Sequence, residues 1–457
     1  MAGCGTILAM GTAALAAVLG MPAWAETIYH RPDGFPLQRV IERSAAGDII
    51  VLAKGEHAGP ITLDRTLTIE GEPGAVVAGN GKGSVITVNA AQSVVRGLEI
   101  TGSGKDLSEM DSAVFVAQTA TGTRVEENRI TGNLVGIYLH GAKDSVASGN
   151  TIIGLRKGRV SEAGDGVSVW NAPGAKVIGN DISFGRDGIF TKTSKRNVFS
   201  GNKLHNVRFA IHYMYTNESE IIGNRSERNN VGYAIMYSDR LRVVDNVSDG
   251  DRDHGLLLNY ANASEISRNV VRGRLQPVER WTGAAQIGGT HGVPSEREPA
   301  GVERAGMRLG PEKCVFIYNA NRNRFLDNWF EGCGIGIHFT AGSEGNAISG
   351  NAFIRNRHQV KYVGSRYLDW SAEGRGNYWS DNPAFDLDGD GVADNPYRPN
   401  DLVDRVLWTS PQAKVLMNSP AVQVIRWAQS QFPAILPGGV VDSRPMMAPP
   451  PAGGDLR

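Results

Sequence analysis

Asparagine returns at Asn128, Asn150, Asn180, Asn202, Asn224, Asn246 and Asn269, a nearly constant step that lengthens only once, between Asn150 and Asn180. A sustained period of about 22 residues is the mark of stacked one-turn units. In the same register Gly136, Gly166, Gly188, Ala210, Gly232 and Gly255 each stand at one fixed distance before the next asparagine, while the rest of the repeat varies in length. One half of each unit is therefore fixed in length and the other accepts insertions. The fixed half opens with runs such as Ile137-Tyr138-Leu139-His140, Val167-Ser168-Val169-Trp170, Ile211-His212-Tyr213-Met214 and Leu256-Leu257-Leu258-Asn259, which alternate as short strands do. With no helical stretch in the repeat, this predicts an all-β chain: a single-stranded parallel β-helix whose turns stack ~4.8 Å apart. Asparagine suits its corner, because it tolerates a left-handed backbone and its amide can bond to the asparagine of the next turn.

The register resumes after an interruption, since Cys314-Val315-Phe316-Ile317-Tyr318 begins at that same fixed distance before Asn328. Residues 272–313 are thus an insertion at a corner, with Trp281 and His291 inside it: either a disordered loop or a lid or partner-binding arm. Two further coils follow through Asn351 and Asn377. Upstream, Pro36–Ile41 reads as a short helix with Leu37, Val40 and Ile41 on one face, placed to cap the first coil. The expected layout is a signal peptide over 1–25, the β-helix over 26–385, an acidic loop and cap over 386–418, an amphipathic helix over 419–432, and a proline-rich extended tail over 433–457.

The signal peptide rests on the apolar run from Ile7 to Trp24, ended by the small-x-small site Ala23-Trp24-Ala25 and too interrupted for a bilayer span. Export is the consequence. Lys plus Arg and Asp plus Glu are each 47, so the charge balance indicates no nucleic-acid partner. Beyond the signal, Cys314 and Cys333 remain, either as one disulfide or as separate buried thiols.

Several stretches are more particular than the repeat: Ile211-His212-Tyr213-Met214-Tyr215, Asp253-His254-Gly255, Lys313 to Asn321, Gly334-Ile335-Gly336-Ile337-His338-Phe339, and Gly376-Asn377-Tyr378-Trp379-Ser380-Asp381-Asn382-Pro383. Over nearly the whole mature chain they resemble the NosD family, periplasmic accessory proteins for the copper centre of nitrous-oxide reductase. The resemblance implies a non-enzymatic role beside an ABC-type ATPase and permease, membrane association through that permease, and a copper chaperone, in the service of the reductase's copper-sulfide site. The competing class is a periplasmic polysaccharide-active lyase, hydrolase or epimerase on the same fold. Asp165 and Asp187 precede equivalent glycines on adjacent coils, with Lys192 nearby, and paired acids can do general acid and base work. Asp before Gly is equally a corner motif.

Strand alternation sends Ile137, Leu139, Val167, Val169, Ile211, Leu256 and Leu258 to the core. The outward stripe is then Tyr138, His140, Trp170, Phe190, Lys192, His212, Met214, Met236, Leu257, Phe316 and Tyr318, a composition suited to a partner surface. Within it His212, Met214 and Met236, helped by His254, form a candidate Cu(I) site, since thioether and imidazole suit that ion. Met214 and Met236 packed against a partner or the long insertion is the alternative. A structural Ca2+ is the expectation for Asp386, Asp388, Asp390 and Asp394, spaced as in a calcium loop, although Tyr397 stands where a bidentate Glu is usual; Asp401 or Asp404 would supply the missing ligand. In the helix over 419–432, Ala421, Val424, Ile425, Ala428 and Phe432 share the face expected to pack on the last coil, leaving Val422 and Trp427 for a membrane partner.

Overall fold

A computed structural model describes residues 25–282, 306–340, 342–364, 366–400, 419–431 and 439–451, together with Val403, Val406 and Gln412. The signal segment, His291, Asp401, Asp404 and Phe432 lie outside the described residues.

Each coil contributes one strand to each of three parallel sheets, of 13, 13 and 12 strands in the order the chain visits them. The first sheet runs from Thr27–His30 to Ala347–Ser349, the second from Gly55–Ala58 to Tyr378–Trp379, and the third from Ile61–Leu63 to His358–Val363. Inward positions of the third sheet follow the expected alternation: Ile137, Leu139, Val167, Val169, Ile211, Leu256 and Leu258 are all buried in one continuous core. Tyr213 and Tyr233 also point inward.

The corner between the first and second sheets carries the asparagine series. At each step from Asn128 to Asn377, the backbone N–H and Nδ2 of one asparagine donate to Oδ1 of the next, at 2.8–3.1 Å. The second amide proton goes back to a carbonyl of the preceding coil, as from Asn202 to Val177 O at 2.8 Å. Every polar atom of such a buried amide is paired, so the row is cohesive without charge. The left-handed residue is the one before each asparagine from Asn128 to Asn351, for instance Glu127 (φ 54), Gly201 (φ 64) and Asp245 (φ 57), which corrects the expectation that asparagine itself adopts it. The residue before reverses the chain, and the asparagine is free to aim its amide inward.

Both ends of the core are closed. Leu37–Arg43 is the expected capping helix, with Leu37 and Ile41 buried and Val40 partly so. At the other end residues 439–446, expected to belong to a free tail, form the cap. Gly439–Val441 pairs with Tyr367–Asp369. Asp442 Oδ2 then accepts from Asn377 N at 2.6 Å, Asn377 Nδ2 at 3.2 Å and Trp379 Nε1 at 2.8 Å. Without it the last rung would leave buried donors unpaired. The helix Pro420–Gln431 forms as expected but does not seat most of its predicted face: Ala421, Val424 and Ile425 are exposed and Ala428 is half-buried, as is Val422 from outside that face. The last coil is already covered by the buried Val440, Val441 and Asp442. Among the described residues no helix is long and apolar enough to cross a membrane.

The insertion emerges as an antiparallel ribbon of Arg274–Pro277 and Met307–Gly310, with a short helix at Glu279–Thr282. It is anchored, because the buried Arg280 guanidinium donates to the carbonyls of Gly250, Arg228 and Asn229 at 2.9, 2.6 and 3.1 Å. Cys314, just beyond the ribbon, is bridged to Cys333 on the next coil.

Candidate metal centre on the third sheet

Register brings the predicted stripe together in two rows. One runs Phe115, Tyr138, Ser168, Phe190, His212, Ala234, Leu257, Phe316 and His338; the other runs His140, Trp170, Lys192, Met214, Met236, Asn259 and Tyr318. The aromatics cover one another: His140 stacks on Trp170 at 4.7 Å, and Tyr138 lies 5.3 Å from His140. Trp170 remains 40% exposed.

His212 sits between Phe190 and Phe209, at 4.9 and 4.8 Å, and is only 8% exposed. Its Nδ1 is 3.0 Å from Asp187 Oδ2. A neutral ring therefore holds its proton on Nδ1 and keeps its lone pair on Nε2, the arrangement in which a carboxylate orients a metal-binding imidazole. Met214 lies two residues on, ~6.6 Å along the same face, and Met236 is its partner one strand away at ~4.8 Å. One imidazole nitrogen and two thioethers thus share a patch of sheet.

His254 does not join them. It occupies the strand position three residues before Leu257, and Leu257 lies two strands from His212. Three residues at ~3.3 Å and two strands at ~4.8 Å separate the backbones by ~14 Å. His254 instead packs on Phe316, which also touches His338, with centroids at 5.5 and 5.0 Å. Burial, with Lys313 for His254 and Lys361 for His338, pushes both imidazoles down to about 4.

In the alternative catalytic set the two acids do stand at equivalent positions on adjacent coils, but both are engaged by other groups. Asp165 and Asp187 are buried, each gripped by an arginine of the following coil: Arg186 Nε and Nη2 reach Asp165 at 3.1 Å each, and Arg208 Nε and Nη2 reach Asp187 at 2.8 and 2.6 Å. Burial raises the Asp165 carboxyl, partly offset by Arg186. For Asp187 burial acts in the same sense but is outweighed by the His212 and Arg208 hydrogen bonds, which hold it below the usual range. Lys192 is exposed at the far end of its strand, between Trp170 and Met214. The two acids orient neighbours; they do not face an open cleft as a pair.

In the acidic loop Asp386, Asp388 and Asp390 bring carboxylate oxygens within 4.8 Å of one another. These groups already accept from Gly389, Gly391, Asp390 and Val392 N–H, while Asp394 turns away to Leu387 N at 2.8 Å. The fourth predicted calcium ligand is therefore not in the cluster.

Sequence reasoning passes over a tyrosine ladder. Tyr215, Tyr237 and Tyr260 follow Met214, Met236 and Asn259, stack at 5.0 and 5.1 Å, and stay exposed with left-handed backbones (φ 50, 50 and 52). The signal that could have found them is that each stands one repeat after the last. A bulky residue in that conformation costs about 1 kcal/mol or more.

A family model described as "Periplasmic copper-binding protein (NosD)" matches residues 153–384. The chain is 40% identical over 401 residues to a protein of Stutzerimonas stutzeri named "Probable ABC transporter binding protein NosD", covering 87% of this chain and 86% of that one. It is 38% identical over 421 residues to one of the same name from Pseudomonas aeruginosa, covering 92% of each. Among solved structures, the pneumococcal surface adhesin PfbA aligns with TM-score 0.51 at 9% identity over 74% of this chain and 88% of its own. XylC in complex with xylose gives 0.51 at 10% identity over 74% and 85%. These two share the fold alone.

Proposed function

Because the chain belongs to the NosD family of periplasmic copper-binding proteins, we propose that it holds Cu(I) on its third sheet while bound to an ABC transporter, for assembly of the copper-sulfide centre of nitrous-oxide reductase. The observation that carries this reading is the Asp187-oriented His212 beside the Met214–Met236 pair. Three soft or borderline donors on an open sheet suit Cu(I) and let it leave again. A copper chaperone would deliver the ion over the aromatic rows around Trp170 and Tyr318, whose exposed rings supply an anchor. The permease and its ATPase would be met through the helix Pro420–Gln431, where Val424 is 62% and Trp427 64% exposed beside the half-buried Val422.

The test is the triple replacement of His212, Met214 and Met236 by Ala. It should abolish retention of Cu(I) on this sheet and yield reductase lacking its catalytic copper, while the β-helix still folds and melts cooperatively, at a lower midpoint because Asp187 loses its bond to His212. Normal copper loading in cells carrying the variant would remove the proposal. The transporter contact is tested separately by V424E/I425E in a pull-down, because deleting residues 419–457 would also remove the Asp442 cap.

A further inference from the structure

A pair of imidazoles lies at the amino-terminal end of the solenoid. His30 closes the strand Thr27–His30 and His57 lies in Gly55–Ala58; both are buried, at 6% and 1% exposure. Their Nδ1 atoms face each other at 2.7 Å. Each Nε2 is committed elsewhere: His30 Nε2 is 2.8 Å from Phe35 O and His57 Nε2 is 2.8 Å from Ala53 O. A carbonyl oxygen only accepts, so both Nε2 atoms carry hydrogen. Both neutral rings then direct an Nδ1 lone pair at the same point, which leaves the 2.7 Å contact in need of one cation between them.

We propose that His30 and His57 form a two-coordinate site for a soft monovalent d10 cation of the Cu(I) class, separate from the third-sheet patch. Ligand count selects the ion. Two opposed nitrogens make a linear pair, which cannot satisfy the four ligands of Zn2+ or the oxygen shell of Ca2+ or Mg2+. Neither ring has a carboxylate among its hydrogen-bond partners, and imidazole suits copper. Charge is conserved on loading: one ion enters, the one proton shared in its absence leaves, and the site carries a single positive charge throughout. Metal–imidazole bonds of about 2 Å require the two nitrogens to part by roughly 1 Å. Such movement is open to His30, since its carbonyl partner Phe35 belongs to the exposed turn over residues 31–36. Six coils separate this pair from His212, ~29 Å along the axis, so the two sites load independently.

The experiment uses the mature full-length chain bearing H212A/M214A/M236A, titrated with Cu(I) against a chromophoric chelator and with Ag(I). One equivalent should remain bound, with X-ray absorption showing two nitrogen neighbours and no sulfur. H30Q or H57Q, in which the amide can still donate to the carbonyl but the Nδ1 lone pair is gone, should each remove that equivalent. Retention of no ion by the triple variant, an ion indifferent to both Gln variants, or sulfur in its shell would overturn the proposal. If one Gln variant fails to fold, the other and the spectrum of the folded triple variant still decide. Loss of only the third-sheet equivalent in the triple variant tests the other site, so the two readings fail separately.

Discussion

Two corners of the same coil solve burial of polar groups in opposite ways. Between the first and second sheets the asparagine row is neutral and self-satisfying, each amide pairing with the next through bonds such as Asn202 Nδ2 to Asn224 Oδ1 at 2.9 Å. Between the second and third sheets the corner carries charge: Asp165 with Arg186, Asp187 with Arg208, and Asp251 under the arm. A neutral ladder can be lengthened indefinitely because each rung is identical. A buried acid needs dedicated donors, an arginine and His212 for Asp187 and two serines with the Asn229 N–H for Asp251, and it holds those groups in place in turn. The fixed corner builds length, and the charged corner positions function.

The contrast is broken most severely from the neutral side. Asn202→Ala leaves the Asn180 backbone N–H without its acceptor and takes one bond each from Asn180 Nδ2 and Val177 O inside the core, and should cost about 3–5 kcal/mol, read as a shift in the denaturation midpoint. A loss under about 1 kcal/mol would mean that the row is decorative. Next comes Asp187→Asn, which strips the charge from Arg208. Because that guanidinium is one-third exposed, we expect a smaller cost of about 2 kcal/mol, but with weakened Cu(I) retention that Asn202→Ala does not share. Unchanged retention would show that His212 needs no orienting carboxylate.

The smallest effect has the opposite sign. Burial pushes the Asp251 carboxyl up to about 6, despite bonds from Ser248, Ser226 and Asn229 N. A carboxyl raised above its unfolded value contributes stability that is fully present below about pH 4 and lost as the pH rises through about 6. Asp251→Asn should therefore stabilise the neutral-pH protein by about 1–3 kcal/mol and flatten its stability profile between these values, as followed by thermal melts. A melting temperature that still falls between pH 4 and 6 in the variant would assign the dependence to another group.

The architecture is legible in the sequence because stacking forces equivalence: Asn128 and Asn150 must be the same kind of residue if one bonds to the other. The outward rows are legible for the same reason, since Met214 and Met236 differ by one period. What fails depends on placement across periods. Coil count puts His254 beside His212, but its position three residues upstream in the strand moves it away. The helix stripe of Val424 and Ile425 reads as core because amphipathicity says which side is apolar and nothing about whether a surface is vacant to receive it. Asp442 is hidden in a proline-rich tail, as no period links it to Asn377.

That carboxylate sets a condition on how the protein is made. Synthesis and export deliver the amino-terminal coils first, and each new asparagine pairs with its predecessor as it arrives. The final rung, however, waits for a residue 65 positions later, with Trp379 Nε1 and the Asn377 backbone N–H unpaired until then. A chain cut short anywhere in that interval would lack the acceptor for Asn377 N and Trp379 Nε1. Asp442 thus works as a seal of completion: the last coil has all its buried donors paired only when the carboxy-terminal segment is in place.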